Sequence, residues 1–151
     1  MKTRKDIENF LAGESFALCG LSRSGKKFSN MLFNKMLELN YKVYPVNPNA
    51  EVIAGSKTFK SINDLPKNCT SLILMTPKSE GLALIKDAVS IGITDIWVQQ
   101  GAETNEIIEF SKANNHLNII YGYCLWMFIS PEGFPHNLHK WIMQILNKYP
   151  K

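Results

Sequence analysis

The stretch FALCGLSRSGK, residues 16–26, decides how this chain folds: an apolar run stops at Gly20 and passes into a Gly/Ser/Lys/Arg loop just before a helical pattern begins. A strand that stops at glycine lets the backbone turn tightly, and the helix that follows presents unpaired N–H groups and the positive end of its dipole. Such a strand-loop-helix receives anions. Ser22 and Ser24 add hydroxyl donors, while Arg23, Lys26 and Lys27 add neutralising charge. The spacing is G-x-S-x-x-G from Gly20 to Gly25, which is neither the G-x-G-x-x-G nor the G-x-x-x-x-G-K-[ST] pattern. Taken alone, the loop also reads as a surface turn rich in small polar residues.

Working outward, Ile7, Phe10 and Leu11 have helical spacing and predict a short leading helix that ends at Gly13, followed by a first strand over 15–20. Phe28, Met31, Leu32, Met36 and Leu39 then mark an amphipathic helix that stops near Asn40. A second strand over 42–46 is closed by Asn47-Pro48, residues 49–57 read as loop around Gly55, and 61–64 resemble a capping box that opens a short helical turn. The run SLILMT, 71–76, reads as a strand buried on both faces and stops at Pro77-Lys78. Leu82, Ile85 and Val89 predict a helix from Ser79 to near Gly92; a strand over 95–99, a helix over 103–114 and a strand over 118–121 follow. This alternation predicts a doubly wound α/β fold, a Rossmann-like parallel sheet of about five strands with helices on both faces.

After residue 123 the pattern changes. Residues 123–129 are continuously apolar, and Pro135 opens a C-terminal helix with Leu138, Trp141, Ile142 and Ile145 on one face. That face packs either on the same domain or on a second copy of the chain, as a homodimer. The 151 residues suit a single domain, 1–151.

Seventeen Lys plus Arg against thirteen Asp plus Glu leave +4, too mild an excess to argue for nucleic acid. No apolar run approaches the roughly 18 residues that span a bilayer, and no signal core is visible at the N-terminus, so a cytoplasmic protein is expected. Cys19, Cys69 and Cys124 form neither a C-x-x-C pair nor an even framework and read as reduced thiols. No metal site is expected: His136 and His139, three apart on a helix, are too few ligands even with Cys124.

In an open parallel sheet, ligands gather at the carboxyl ends of the strands. The candidates are Gly20 with Ser22; Asn47 with Pro48; Thr76 with Pro77 and Lys78; Gln99, Gln100 and Gly101; and Gly122 with Cys124. No carboxylate-histidine pair converges among them, so the set suits binding better than acid-base catalysis. NAD-binding domains commonly place Asp or Glu at the end of the second strand, where this chain has Asn47. Losing that charge favours a ligand with phosphate on its adenosine end, which describes both NADP and coenzyme A.

Several blocks carry a family resemblance: Cys19-Gly-Leu-Ser22, Val43-Tyr-Pro-Val-Asn-Pro48, Glu51, Ile53 and Gly55, the turn over 61–66, Ile91-Gly92, Ile96-Trp-Val-Gln-Gln-Gly101, and Cys124. Over roughly 16–124 the chain resembles the stand-alone coenzyme A-binding proteins, similar to the N-terminal domain of the succinyl-CoA synthetase alpha subunit. The resemblance implies a Rossmann-like fold in which the phosphate-bearing part of CoA meets Gly20, Ser22 and Lys26. It further implies adenine near Asn47 and Pro48 and the pantetheine arm by Thr76 and Pro77. The loop Arg23-Ser-Gly is shorter and less proline-rich than that family's, and the segment after Cys124 is more apolar. His116, His136 and His139 are outside any Gly-His-Ala-Gly context, so ligase activity is not expected.

Three functions follow. The first is non-catalytic binding of CoA or an acyl-CoA, with Gly20, Ser22, Arg23, Ser24, Lys26, Asn47, Pro48, Thr76, Pro77, Lys78, Gln99 and Gly101 as binding residues. The second is an NADP-linked reductase or reductase subunit, for which Tyr121 or Tyr123 would supply the proton. The third is a protein-interaction module on an empty scaffold. Cys124 reads either as a buried packing thiol or as a partner in thiol exchange with CoA.

Overall fold

The computed structural model describes residues 2–129. A leading helix α1 (Arg4–Leu11) is started by Thr3, whose hydroxyl accepts the Asp6 N–H while the Asp6 carboxylate accepts the Thr3 N–H. Five strands form one parallel sheet: β1 (Phe16–Cys19), β2 (Val43–Val46), β5 (Ser71–Leu74), β6 (Asp95–Gln99) and β7 (Asn118–Tyr123), in the order β2-β1-β5-β6-β7. Between them run α2 (Phe28–Glu38), α3 (Lys78–Ser90) and α4 (Asn105–Ala113).

Side chains that alternate along the strands divide the core in two. Phe16, Leu18, Ile73 and Trp97 face α1 and α2, burying Ile7, Phe10, Leu32, Phe33 and Met36. Ala17, Cys19, Leu72, Leu74, Ile96 and Val98 face α3 and α4, burying Ile85, Ala88 and Ile107. Both faces are covered, as the apolar runs in β1 and β5 require. Between β6 and β7 the register shifts: Trp97 pairs with Ile120, but Gln99 pairs with Tyr123. The additional residue, beside Gly122 at φ 81°, returns Tyr123 to the face that holds Ile120.

Two short elements correct the sequence expectations. Residues 49–57, expected as loop, contain an antiparallel hairpin of β3 (Val52–Ile53) and β4 (Ser56–Lys57), turned by Ala54 and Gly55 at φ 47° and 76°. Alanine rarely takes a positive φ, so Ala-Gly is a faint hairpin signal beside Asn-Gly. The apolar run after Tyr123 forms a short helix α5 (Trp126–Ile129) that packs Ile129 and Phe128 on the α1 face. At 61–64 the turn is a 3-10 turn (Ile62–Asp64), and Ser61 Oγ accepts the N–H of Asn63. The expected C-terminal helix, with Leu138, Trp141, Ile142 and Ile145, lies outside the described residues, as do His136 and His139.

Candidate functional site

From β1 the chain first moves to one side, through α2 to β2, and then crosses back past β1 to β5. The strand order therefore reverses between β1 and β5, which opens a crevice beyond their carboxyl ends. Here a cavity of about 370 Å³ is lined by Gly20, Asn47, Pro48, Thr76 and Pro77. That size lies at the lower end of the range of about 300–1,000 Å³ for small-molecule sites.

Gly20 makes the close approach possible. At φ 107° it is in a region that disfavours side chains, and a Cβ there would collide with the Met75 carbonyl group and lie 2.9 Å from the Thr76 nitrogen. Thr76 is the second notable wall residue. Four buried side-chain polar atoms have no partner among the described residues: Thr76 Oγ1, Trp97 Nε1, Asn118 Oδ1 and Tyr123 Oη. Only Thr76 borders this cavity. Lys27, the residue before α2, and Lys60 bring positive charge to the same wall, and Glu80 and Asp87 of α3 bring negative charge.

The loop after β1 is held by its own polar groups. Asn30, buried on α2, accepts the Ser22 N–H at 3.1 Å and donates to the Ser22 carbonyl at 2.9 Å. Ser29 Oγ donates to the Gly20 carbonyl at 2.9 Å. Ser22 Oγ accepts the Ser24 N–H at 3.2 Å and lies 2.8 Å from Ser24 Oγ, so these hydroxyls are paired with each other. Asn47 Nδ2 donates to the Leu21 carbonyl at 3.0 Å, and Asn47 Oδ1 accepts the Asn49 N–H at 2.8 Å. Asn47 thus ties the loop after β2 to the loop after β1.

Residues 14–129 match the family described as the CoA binding domain. The chain belongs to this family. Among curated proteins it is 36% identical over 77 residues to an ADP-forming acetate–CoA ligase II of Archaeoglobus fulgidus, covering 50% of this chain and 11% of that protein. It is 28% identical over 120 residues to an ADP-forming acetate–CoA ligase of Methanocaldococcus jannaschii, covering 74% and 17%. The chain therefore spans only a small fraction of these relatives. Among solved structures, a conserved hypothetical protein of Pyrococcus furiosus superposes with a TM-score of 0.71 at 32% identity, covering 76% of this chain and 98% of that one.

Within this CoA binding domain, Gly20, Asn47, Pro48, Thr76 and Pro77 of the predicted site residues meet around the cavity, while the rest lie elsewhere. Ser22 is half-buried in the loop, and Arg23, Ser24 and Lys26 are exposed outside the cavity lining. Lys78 borders a separate cavity of about 380 Å³ with Thr104 and Glu106. Gln99 is buried: it donates to Cys124 Sγ at 3.2 Å and accepts the Leu125 N–H at 3.1 Å. The Gly101 N–H donates to Glu103 Oε2 at 2.6 Å. Sequence reasoning missed Lys60, Ser61, Glu80, Leu84 and Asp87 as wall residues. The signal for the last three was their spacing of four and three along α3, beside the stripe that fills the core.

Burial shapes the thiols too. Cys19, at the end of β1, lines the cavity, and burial, with smaller contributions from Cys69 and Glu80, pushes its thiol up to about 12. It serves as wall, since a nucleophilic cysteine needs its thiolate near neutrality.

Proposed function

We propose that the chain binds coenzyme A, free or acylated, in the crevice beyond β1, β2 and β5, without making or breaking bonds itself. The observation that carries the reading is the meeting of Gly20, Asn47, Pro48, Thr76 and Pro77 around one cavity at the reversal of strand order in a CoA binding domain. CoA, when bound, supplies a thiol that carries acyl groups. The missing side chain of Gly20 lets the ends of β1 and β5 close up beside the crevice, and Lys27 stands at the start of α2, where helix dipole and ammonium act together on an anion. Ser22, Arg23, Ser24 and Lys26 form the outer edge of this phosphate loop, with the two cations screening phosphates that project from the cavity. The cavity is too small for all of CoA, so one end of the ligand fills it and the remainder passes over the sheet edge toward Lys78, Gln99 and Gly101. Thr76 Oγ1 fits the role of a ligand contact because a buried hydroxyl without a partner is costly.

The relatives named acetate–CoA ligase support CoA as the ligand, and ligase activity forms no part of the proposal. The three buried cysteines, none in a disulfide, support a reducing, cytoplasmic setting. A homodimer through the apolar C-terminal segment completes the reading, with the half-buried Trp126 as its contact, since Leu125, Met127 and Ile129 are buried in the chain's own core. It is tested by sedimentation of a Trp126→Glu variant, which is expected to shift to monomer; an unchanged oligomer overturns it.

Calorimetric titration with CoA, dephospho-CoA, NAD and NADP tests the binding. CoA is expected to bind tightest, and loss of its ribose phosphate to weaken binding. Binding of NADP with no response to CoA overturns the reading in favour of a reductase.

A further inference from the structure

The wall of the cavity contributed by α3 is unlike the rest. Glu80, Leu84 and Asp87 follow one another at helical spacing on the side of α3 that borders the cavity, with Ile62 of the 3-10 turn and Pro48 also lining it. Glu80 lies toward the sheet edge, near enough to Cys19 to raise its thiol, and Asp87 lies almost two turns further along. Among the described residues neither Asp87 nor Lys60 takes part in an ion pair, so the Asp87 carboxylate is available to a ligand.

Two carboxylates on a wall repel phosphate, so a phosphorylated ligand must turn another part of itself toward α3. Leu84, Ile62 and Pro48 offer apolar surfaces suited to the faces of a flat ring, and Asp87 offers an acceptor at its edge. We infer that Asp87 selects the base of the bound nucleotide, its carboxylate accepting a hydrogen bond from the exocyclic amine of adenine, while the phosphates lie on the opposite side toward Gly20 and Lys27. Thr76 borders the same cavity and carries a buried hydroxyl with no partner among the described residues, a separate sign of a polar group still to be satisfied at this wall. A base with a carbonyl at the amine position would face the carboxylate with an acceptor and be rejected.

This inference rests on the CoA reading and specifies the end of the ligand that the cavity holds. Its test uses CoA and 1,N6-etheno-CoA, whose bridged ring has no amine to donate, titrated into the full chain and into Asp87→Ala and Asp87→Asn. The wild type is expected to prefer CoA by about fivefold, as one charge-assisted hydrogen bond at a half-open site allows. Asp87→Ala should bind both equally by weakening CoA alone, and Asp87→Asn, which keeps an acceptor oxygen, should retain most of the preference. Asp87 is exposed and alanine is the better helix former, so both variants are expected to melt like the wild type. A preference that survives in Asp87→Ala overturns the assignment, as does an equal loss for both ligands, which would move the carboxylate to the ribose. Absence of CoA binding in the wild type instead brings down the CoA reading itself.

Discussion

Asn30 grips the peptide of Ser22 from both sides, accepting its N–H at 3.1 Å and donating to its carbonyl at 2.9 Å. One buried amide on α2 thereby does for the loop what a neighbouring strand does for a sheet residue. Replacing it by alanine is expected to cost about 1–2 kcal/mol, because two hydrogen bonds go and Ser22 keeps its polar groups. Urea melts of Asn30→Ala check the stability, and a parallel fall in CoA affinity is expected as the loop loosens. Unchanged stability would mean that the amide has no part in holding the turn.

Gly20→Ala combines two faults, a side chain at positive φ and a collision of its Cβ with the Met75 carbonyl. The ends of β1 and β5 would have to separate. A loss of about 2–4 kcal/mol is expected, read as a lower Tm together with lost CoA binding. A variant as stable as the parent would show that the strand ends tolerate a wider gap.

The parallel sheet was legible because β1, β5 and β6 are short apolar runs set between helical periodicities, a pattern that burial on both faces produces directly. Strand ends then singled out Gly20, Asn47 and Thr76, which line one cavity, since topology favours that edge for ligands. The hairpin at 52–57 was not legible, because Ala54 holds a conformation its side chain disfavours and the chain context overrides the local preference. Nor was the fate of the loop hydroxyls: Ser22 and Ser24 are attractive phosphate donors in sequence, yet they bond to each other. Asp87 and Glu80 escaped notice for a different reason, as exposed acidic residues on a helix ordinarily face solvent and only the packing of α3 against the 3-10 turn brings them to a cavity.

Thr76→Val replaces an unpartnered buried hydroxyl with a methyl group of the same shape. Stability is expected to hold or rise by up to about 1 kcal/mol, since nothing in the protein loses a bond. CoA affinity should fall about fivefold if the hydroxyl meets the ligand. Calorimetry and thermal melts on one preparation separate the two effects; unchanged affinity would remove Thr76 from the contact surface.

The Cys19 thiol is raised by burial from 9.0 to about 12, so the folded protein holds this proton more tightly than the unfolded chain. Its contribution to stability is complete below about pH 9 and disappears as pH climbs toward about 12, at a slope of no more than about 1.4 kcal/mol per pH unit. Cys69, Tyr41 and Tyr123 are also raised by burial and share the sign. Urea melts at about pH 7 and about pH 10 should therefore differ less in Cys19→Ala than in the parent. Equal differences would show that the Cys19 thiol does not carry the alkaline sensitivity.

Gly81 lies on the underside of α3, where a methyl group would come within 3.0 Å of Ile107 Cδ1 and 3.2 Å of Leu74 Cδ2. A bare backbone at that point lets the helix rest low on β5, and Glu80, Leu84 and Asp87 descend with it. The wall that α3 gives the crevice is thus seated through a position that never faces it. A methyl group at position 81 would press on the tips of Ile107 and Leu74, so the seat of this wall is set by side chains that never touch the crevice.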